Sequence, residues 1–257
     1  MRGLHFHMTD QTLNTIIEMT RTLGQPAMNY VIIGEGNTSY RIDDETFWIK
    51  ASGRGMHNID EEGFVKVRLA PILELVDSTL SGEALETAIR GAMVDQSIKA
   101  KPSIEVTFHA LLLADCNVRC VAHTHPVAVN QIMCSNRAEQ FALNRIFPDE
   151  VVLCGPRSVF VPYADPGLPL ARTIRVKVAE YMREMGEPPK VILMANHGLI
   201  ALGQTPTDAL NITAMCMKAA TIFAGACAVG EPVFMTPEDI AHIYRRPDEI
   251  YRRKLFT

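Results

Sequence analysis

The stretch KVILMANHGLIAL, residues 190–202, contains two apolar runs separated by the polar tripeptide Asn196-His197-Gly198. Each run has the length and β-branched content of a buried strand, and the tripeptide is typical of a turn. Strands joined by so short a turn pair antiparallel, because a parallel pair needs a crossover of about a dozen residues or more. The stretch therefore predicts an antiparallel part of a sheet with a histidine at its end.

Strands and helices alternate unevenly along the rest of the chain. Strand patterns are predicted within residues 29–53, at CVAH (120–123), at EVVLCG (150–155) and at VFVPY (159–163), and helical spacing marks 10–24, 69–100, 103–113, 169–186 and 205–230. Most connections between strands are too short for helical crossovers. We expect an α/β fold, a three-layer α/β/α sandwich around a mostly antiparallel (mixed) sheet. A doubly wound dinucleotide-binding sheet is disfavoured, because GEGNTS does not match GxGxxG and opens no clear helix.

The bulk composition restricts the class of ligand. With 257 residues we expect a single domain over 1–257, ending in a helical tail at about 236–257. A hydrophobic fraction of 47%, a charged fraction of 21% and a net charge of −4 predict a soluble protein that binds neither nucleic acid nor membrane. No apolar stretch approaches membrane length and no secretory signal is evident, so we expect a cytoplasmic protein with a small-molecule substrate.

The six cysteines give no sign of paired chemistry. They lie mostly inside apolar runs, and no two of them form a CxxC pair. We therefore expect reduced core residues rather than disulfides or a structural metal site.

Two histidine features indicate a metal site. His123 and His125 flank Thr124 where a buried strand ends, and a bend there lets both imidazoles face one ion. A histidine in the core and another on the surface is the alternative for such a pair, and His5 with His7 is interpreted as a solvated terminus. His197 lies at an apolar turn, where an imidazole needs a partner. Three imidazoles with one open position favour a catalytic ion.

Glu105 is the candidate fourth ligand. It lies in SIEVTFHALLL (103–113), a predicted helix that is otherwise apolar, and a buried carboxylate is costly without a nearby cation. His109, four residues later, shares the helical face and is expected either to orient Glu105 or to be an ordinary hydrogen-bonded core histidine.

Hydroxyl and glycine residues form a possible anion site. Backbone amides at glycine turns and hydroxyls near a helix start suit phosphate, although each residue alone is more typical of a turn or a cap. The candidates are Gly36, Asn37, Thr38, Ser39, Ser52, Gly53 and Ser103.

The fragments GEGNTS, KASG, PSIEVTFH, AHTHP, PYADPG and NHGLIALG, taken in order, resemble the class II aldolase/adducin family over about residues 34–203. This family contains fuculose-phosphate and rhamnulose-phosphate aldolases and ribulose-phosphate 4-epimerase. The resemblance implies a nine-stranded or similar mostly antiparallel sheet between helical layers. It also implies a homotetramer with active sites at subunit interfaces.

The resemblance assigns roles to single residues. His123, His125 and His197 match the metal histidines, and Glu105 matches the glutamate that binds metal at rest and acts as acid/base. Asn37 matches the asparagine that hydrogen-bonds the enediolate, and Tyr163 resembles the tyrosine that supplies a proton across the interface. One divalent ion per subunit is implied; zinc suits the ligands best, and Mn, Co, Ni or Fe are alternatives.

The sequence departs from the family at the phosphate site. Aldolases of the family typically have two hydroxyl residues before the glutamate, but here Ser103 is followed by Ile104. The motifs PSIE, KASG and PYADPG resemble the aldolase portion of bifunctional rhamnulose-phosphate aldolase/dehydrogenases. The missing hydroxyl favours a substrate without phosphate, such as a sugar acid, whereas the rest of the resemblance favours a ketose phosphate, which we expect first.

Three functions follow as hypotheses. The first is reversible aldol cleavage of a ketose through a metal-stabilised enediolate, the reaction of an aldehyde-lyase. The second uses the same ion to decarboxylate, epimerise or dehydrate a sugar acid or related hydroxy or keto acid. The third is a non-catalytic, adducin-like binding domain, which has no need to keep metal ligands.

Overall fold

The structure is a computed structural model that describes the backbone of residues 3–255 and the side chains from residue 11 onward, so the side chains of His5 and His7 lie outside the described part. Its centre is a seven-stranded sheet with strand order β3-β2-β1-β4-β7-β6-β5. The strands are β1 Asn37–Arg41, β2 Thr46–Lys50, β3 Phe64–Arg68, β4 Cys120–Thr124, β5 Val159–Val161, β6 Val191–Met194 and β7 Gly198–Gly203.

The sheet is mixed, and short connections explain its antiparallel part. All neighbouring strands are antiparallel except β5 and β6, which are parallel. The β5–β6 connection is long enough to contain a helix of 18 residues, whereas β6 and β7 are joined by residues 195–197 alone. The described sheet has seven strands rather than the nine implied by resemblance; two further pairings, Ala51 with Pro102 and Val67 with Met93, are isolated bridges.

Helices cover both faces of the sheet and make the three predicted layers. The helices are α1 Gly3–Leu23, α2 Leu69–Val76, α3 Gly82–Gly91, α4 Val106–Asp115, α5 Val127–Met133, α6 Ala138–Leu143, α7 Pro148–Cys154, α8 Leu168–Met185, α9 Pro206–Val229, α10 Pro237–Arg245 and α11 Pro247–Leu255. One apolar core joins the sheet to α2, α3, α4 and α8. A second core joins the opposite face to α1, α5, α6 and α9. The α/β/α prediction is confirmed.

Two local predictions are wrong. The segment EVVLCG, predicted as a strand, is helical. Pro148 occupies the first turn of α7, and the acidic Asp149 and Glu150 follow it. This combination favours a helix start and outweighs the β propensity of the two valines. The first helix begins at Gly3, seven residues before the start predicted at residue 10.

The helix α9 contradicts the expectation that no apolar stretch approaches the length of a membrane span. Among the described helices it is the one long and apolar enough to cross a membrane by length and composition alone. It packs against β7, α5 and α7, and Ile212, Cys216 and Phe223 are buried in the second core. These contacts are those of a core helix. Its outer face keeps apolar residues exposed, among them Ile222 at 41% and Val229 at 91%.

The cysteine prediction is largely confirmed. All six cysteines are free, and Cys116, Cys120, Cys154 and Cys216 are buried. Cys134 is exposed at the end of α5, so the core interpretation is wrong for that residue.

Candidate metal centre and active site

His123 is fixed by the middle of the sheet. It lies on β4, paired with Asn37 on β1 and with Ile200 on β7, and its side chain is fully buried. Its Nδ1 lies 3.0 Å from the carbonyl oxygen of Leu199. Because a carbonyl only accepts hydrogen bonds, Nδ1 carries the proton and Nε2 presents a lone pair. Burial lowers the pKa of His123 to about 3, so the ring is neutral near pH 7.

His125 and His197 reach the same point from two turns. Strand β4 ends at Thr124, and His125 follows it with its backbone N–H donating to Tyr30. His197 lies in the β6–β7 turn behind Asn196, which has a left-handed φ of 55°. Gly198 makes this approach possible, because a Cβ there would come within 2.6 Å of the Thr124 oxygen and 2.8 Å of His125 Cδ2.

The three imidazoles converge as the sequence predicted. Nitrogen atoms of His123, His125 and His197, one from each ring, all lie within 4.8 Å of one another. The Nε2 atoms of His123 and His125 are 2.9 Å apart. The Nδ1 atom of His125 lies 2.8 Å from a carboxylate oxygen of Glu35, which only accepts, so a neutral His125 also presents a lone pair at Nε2. Two facing lone pairs repel each other unless a cation lies between them, and the residues therefore fit a divalent ion.

Glu105 lies beside these rings, though not within the helix as predicted. It is the residue before α4, in the N-cap position, with a backbone in the αR region. Its Oε1 lies 3.3 Å from His197 Nε2, and its Oε2 lies 3.6 Å from His123 Nε2. The carboxylate therefore adds a fourth possible ligand to the three imidazoles, at 8% exposure.

The surroundings of Glu105 favour its ionised form. Burial alone would raise the pKa of the carboxyl group, but the adjacent His123 and hydrogen bonds from His197 and Asn37 act the other way. Together they hold the pKa of Glu105 well below its usual value. A carboxylate in this state suits cation binding, and it becomes a useful base only if some of these partners are withdrawn.

A chain of hydrogen bonds orients Asn37 toward Glu105. Nδ2 of Asn37 donates to Oε2 of Glu105 at 2.6 Å, which assigns the amide orientation, because a carboxylate only accepts. The Oδ1 of Asn37 must then accept from Nε2 of His109, at 2.5 Å. Burial lowers the pKa of His109 to about 3, so the ring is neutral and its Nδ1 accepts from Ser39 Oγ at 2.7 Å. The His109 ring therefore contacts Asn37 and Ser39, and His109 meets Glu105 only through its backbone N–H, which donates to the Glu105 backbone oxygen at 3.2 Å.

The predicted anion-site residues lie around Asn37. Ser103 Oγ is 3.3 Å from Asn37 Nδ2 and accepts the backbone N–H of Glu105 at 3.2 Å. Gly36 is buried with a φ of 70°, and a Cβ there would lie 2.7 Å from Val31 Cγ1 and 2.9 Å from the His123 oxygen.

The second glycine turn is open to solvent. Gly53 is exposed with a φ of 75°, and nothing lies within 4 Å of where its Cβ would be. Ser52 is also exposed, and its backbone N–H donates to Lys101. The remaining candidates, Thr38 and Ser39, are buried and point into hydrogen bonds with Thr20 and His109, so they are not placed to bind a ligand.

Lys50 is a feature that the sequence analysis missed. Its side chain is 2% exposed, and its Nζ lies 3.3 Å from the Gly34 oxygen and 3.5 Å from the Ala51 oxygen. Both distances exceed the usual range for a hydrogen bond from nitrogen. Burial lowers the pKa of Lys50 to about 8, and the negative charge of Glu105 partly opposes that shift. A buried ammonium with two long contacts is suited to receive an anion.

Tyr163 and Ile104 are both exposed. The Tyr163 ring is 61% exposed, and its hydroxyl donates to Asp165 at 3.0 Å. Within one chain it is a surface residue. Ile104 is 37% exposed and lies beside Gly167, and it lines a cavity of about 280 Å³ together with Ser52 and Lys101.

Glu35 was also missed; Glu35 and Lys50 lie in the fragments GEGNTS and KASG, but neither spacing nor residue type there indicated a role for them. Glu35 is 90 residues from His125, and Lys50 ends a strand that alternates like any half-buried strand. Only the pairing of the loops shows what these charges contact. A clue to Lys50 exists in hindsight, because its neighbours Ile49 and Ala51 are apolar.

The fold and the cluster of three histidines define an α/β protein with a candidate site for a divalent metal. A model of the family described as "Class II Aldolase and Adducin N-terminal domain" matches residues 14–224. The chain belongs to the class II aldolase/adducin family, whose enzymes use a divalent metal and typically act on small sugar phosphates.

Two relatives illustrate the range of the family. A Bacillus subtilis (strain 168) protein named uncharacterized oxidoreductase YuxG is 30% identical over 181 residues, 67% of this chain. The match covers 24% of that protein, so the chain spans about a quarter of its length. A 3-oxo-tetronate 4-phosphate decarboxylase of Haemophilus influenzae (strain ATCC 51907 / DSM 11121 / KW20 / Rd) is 26% identical over 196 residues, with 76% of this chain and 79% of that protein covered.

A solved structure supports the fold. An L-fuculose 1-phosphate aldolase superposes with a TM-score of 0.68 at 20% sequence identity, covering 91% of this chain and 94% of that chain. At this identity the likeness concerns the fold alone.

Proposed function

We propose that this protein is a divalent-metal-dependent lyase that cleaves a carbon–carbon bond next to a carbonyl group in a small, anionic, sugar-derived substrate. Aldol cleavage of a ketose, with release of an aldehyde, is the leading form of this proposal. The observation that carries it is the convergence of three imidazoles and the Glu105 carboxylate on one point, with Asn37 aimed at that carboxylate.

The ligand set suits a single ion in each subunit. Three histidines and one carboxylate are typical of zinc, and we propose zinc over manganese, cobalt, nickel or iron. A divalent ion held there would supply Lewis acidity, which lowers the barrier to carbanion formation beside a carbonyl by several kcal/mol.

The proton transfers are assigned to Glu105. Its carboxylate would take a proton from, or return one to, the substrate carbon next to the carbonyl. Its low pKa opposes such a role until substrate binding separates it from His123 or His197. Asn37 would serve two purposes, because its amide holds Glu105 at rest and offers an N–H to an oxygen of the substrate that gains negative charge.

The anionic end of the substrate would lie near Lys50. The Lys50 ammonium is buried next to the loop that carries Gly34 and Gly36, and the Ser103 hydroxyl lies beside Asn37, the residue that follows Gly36. A phosphate or a carboxylate would supply the missing partner of this cation. Ser52 and Gly53, at the neighbouring turn, would add backbone and hydroxyl contacts.

Decarboxylation of a 3-oxo acid is the second candidate. Ile104 replaces a hydroxyl expected beside Ser103, so the site offers one hydroxyl fewer to a phosphate group. A relative that matches most of the chain is named as a decarboxylase of a substrate with both a carboxylate and a phosphate. In this reaction the same residues would stabilise the carbanion left by loss of carbon dioxide.

A panel of substrates separates the two reactions. Purified protein loaded with zinc or manganese would be incubated with ketose 1-phosphates and with 3-oxo acids, each with and without phosphate, and aldehyde and carbon dioxide would be measured. Aldehyde release that Glu105→Gln abolishes supports the aldolase. Carbon dioxide release alone replaces it with the decarboxylase, and inactivity of the loaded protein on the whole panel contradicts the lyase.

Tyr163 is proposed to act on a neighbouring subunit. Its exposed ring and the exposed apolar face of α9 are consistent with a homotetramer whose active sites lie between subunits. In tetramers mixed from inactive Glu105→Gln and Tyr163→Phe subunits, about a quarter of the sites should then be intact. Such a site takes its Glu105 from a Tyr163→Phe chain and its Tyr163 from a neighbouring Glu105→Gln chain. No recovery in mixed tetramers would place Tyr163 outside the reaction.

A further inference from the structure

A carboxylate outside the metal cluster contacts one of its histidines. Glu35 directs Oε2 to Nδ1 of His125 at 2.8 Å, and its Oε1 accepts the backbone N–H of Ile32 at 2.7 Å. Both oxygens are therefore engaged, one by the loop and one by the ring. The Glu35 side chain is 31% exposed, and the His125 side chain is 21% exposed.

The loop that carries Glu35 has an unfavourable backbone. Ile33 has a φ of 54°, a left-handed value that a β-branched residue rarely adopts, and its side chain is 93% exposed. No burial of that side chain offsets the strain. Glu35 closes the turn with its backbone N–H on the Ile32 oxygen, so the strained turn and the position of the carboxylate go together. Backbone strain of this kind persists where the surrounding contacts enforce it, often at functional sites.

His123 and His125 have different partners behind their rings. Nδ1 of His123 donates to a neutral carbonyl of the backbone, whereas Nδ1 of His125 faces a carboxylate. A carboxylate behind an imidazole fixes which nitrogen is free for a metal and makes that nitrogen a stronger electron donor. His125 follows the end of β4 and lacks a place in the sheet, so it depends more on such a partner than His123 does.

We propose that Glu35 is a positioning residue that holds His125 in the metal-binding orientation and sets the affinity of the site for a divalent cation. It acts through His125 and does not contact the substrate. This inference rests on the metal-binding part of the proposed function and on no particular reaction.

Direct metal titration tests the inference without any substrate. Apo protein would be titrated with Co²⁺ and Zn²⁺ in competition with a chromophoric chelator, and the visible spectrum of bound Co²⁺ would report the ligand geometry. Glu35→Gln keeps an oxygen for the ring but loses the charge, and Glu35→Leu loses both. We expect weaker metal binding, by about 10-fold for Glu35→Gln and toward 100-fold for Glu35→Leu, with an altered Co²⁺ spectrum.

Two controls separate charge, loop shape and folding. Glu45→Gln removes one negative charge from the exposed turn between β1 and β2 and should leave metal affinity unchanged. Ile33→Gly relieves the strained backbone, leaves the carboxylate in place and should bind metal as tightly as the parent protein. Urea unfolding of each apo variant shows whether it is folded, and Glu35→Gln, the milder change, keeps the test informative if Glu35→Leu does not fold.

The outcomes distinguish this inference from the proposed function. If the parent protein binds metal and the Glu35→Gln and Glu35→Leu variants match it within twofold, the Glu35 inference is overturned and the lyase proposal stands. If the parent protein binds no divalent ion, the lyase proposal fails as well.

Discussion

Asn37 and Glu105 are 68 residues apart in sequence, yet Nδ2 of Asn37 donates to Oε2 of Glu105 across 2.6 Å. Asn37 is paired with His123 across β1 and β4, so the sheet fixes its backbone beside a candidate metal ligand. Asn37 is thus held by the sheet, and Glu105 is held by Asn37. The amide is the link between the sheet and the proposed acid/base.

Replacing this amide should impair chemistry more than metal binding. Asn37→Ala leaves the three histidines in place but removes the donor to Glu105, and we expect a fall in kcat of about 100-fold or more, as for other lost donors to developing charge. Metal content, measured by elemental analysis, should stay near one ion per chain. Loss of the ion together with activity would show that Asn37 acts on the metal ligands instead.

The bond between Ser39 and His109 should contribute to stability. His109→Phe leaves Oδ1 of Asn37 and Oγ of Ser39 buried without this partner, so the free energy of unfolding should fall by about 1–3 kcal/mol. Because the two residues share one hydrogen bond, the double variant with Ser39→Ala should be less destabilised than the sum of the singles by about 0.5 kcal/mol or more. Urea unfolding of the four proteins measures this difference, and strict additivity would show that the bond contributes nothing.

Much of the fold could be predicted because it depends on local pattern. The turn at Asn196-His197-Gly198 and the strand end at His123 lie within single apolar segments, and the long helices have clear periodicity. The EVVLCG segment was misinterpreted because two valines favour a strand, while the helix start at Pro148 lies outside it. A local pattern of six residues does not decide between the two.

The supporting residues of the site could not be predicted in the same way. Glu35 reaches His125, and Lys50 approaches Gly34, only because the loop before β1 folds over the ends of β2 and β4. No periodicity in the sequence carries this information. The metal histidines were accessible because their type and spacing restrict the chemistry, whereas a single Glu or Lys is compatible with an ordinary solvated loop.

The pH dependence of substrate binding should follow Lys50. The pKa of Lys50 is lowered from 10.5 to about 8, so its ammonium is lost in the folded protein as pH rises through 8. The KM for an anionic substrate should therefore rise above about pH 8. Lys50→Met should show a high KM at every pH, and a parent KM that stays flat to pH 10 would remove Lys50 from the anion site.

Over the same range, the protein should become more stable although it binds its substrate more weakly. Between pH 8 and 10.5 the unfolded chain binds a proton at Lys50 that the folded chain has lost, so this residue makes stability rise with pH. Below pH 8 both states are protonated and the contribution is constant. Urea unfolding of the parent and of Lys50→Met at pH 7 and pH 10 measures this contribution. If the free energy of unfolding changes equally in both proteins between the two pH values, the lowered pKa of Lys50 is contradicted.

Metal removal should lower stability as well as activity. An ion that binds only the folded state stabilises it by about 2.7 kcal/mol when present at 100 times its Kd. Dialysis against a chelator should therefore lower Tm and abolish turnover, and added Zn²⁺ or Mn²⁺ should restore both. His197→Ala is the matched control, because its ring lies at a partly exposed turn and its loss should leave a folded protein whose Tm no longer responds to metal. A Tm that still responds fully would exclude His197 as a ligand.

Gly198→Ala should disturb the site through the backbone rather than through a lost side chain. A Cβ at this position would lie 2.6 Å from the Thr124 oxygen, and that oxygen belongs to the strand that leads into His125. Either the β6–β7 turn or the end of β4 must move, so His197 and His125 separate. We expect a loss of stability of about 1–3 kcal/mol, as for overpacked cores, together with weaker metal binding.

Gly225→Ala is the control, because Gly225 is exposed in α9 with nothing within 4 Å and alanine favours a helix. Unfolding curves and Co²⁺ titrations of both variants decide the matter: equal metal affinities would show that the turn tolerates the added methyl group and that its glycine does not govern how the histidines meet.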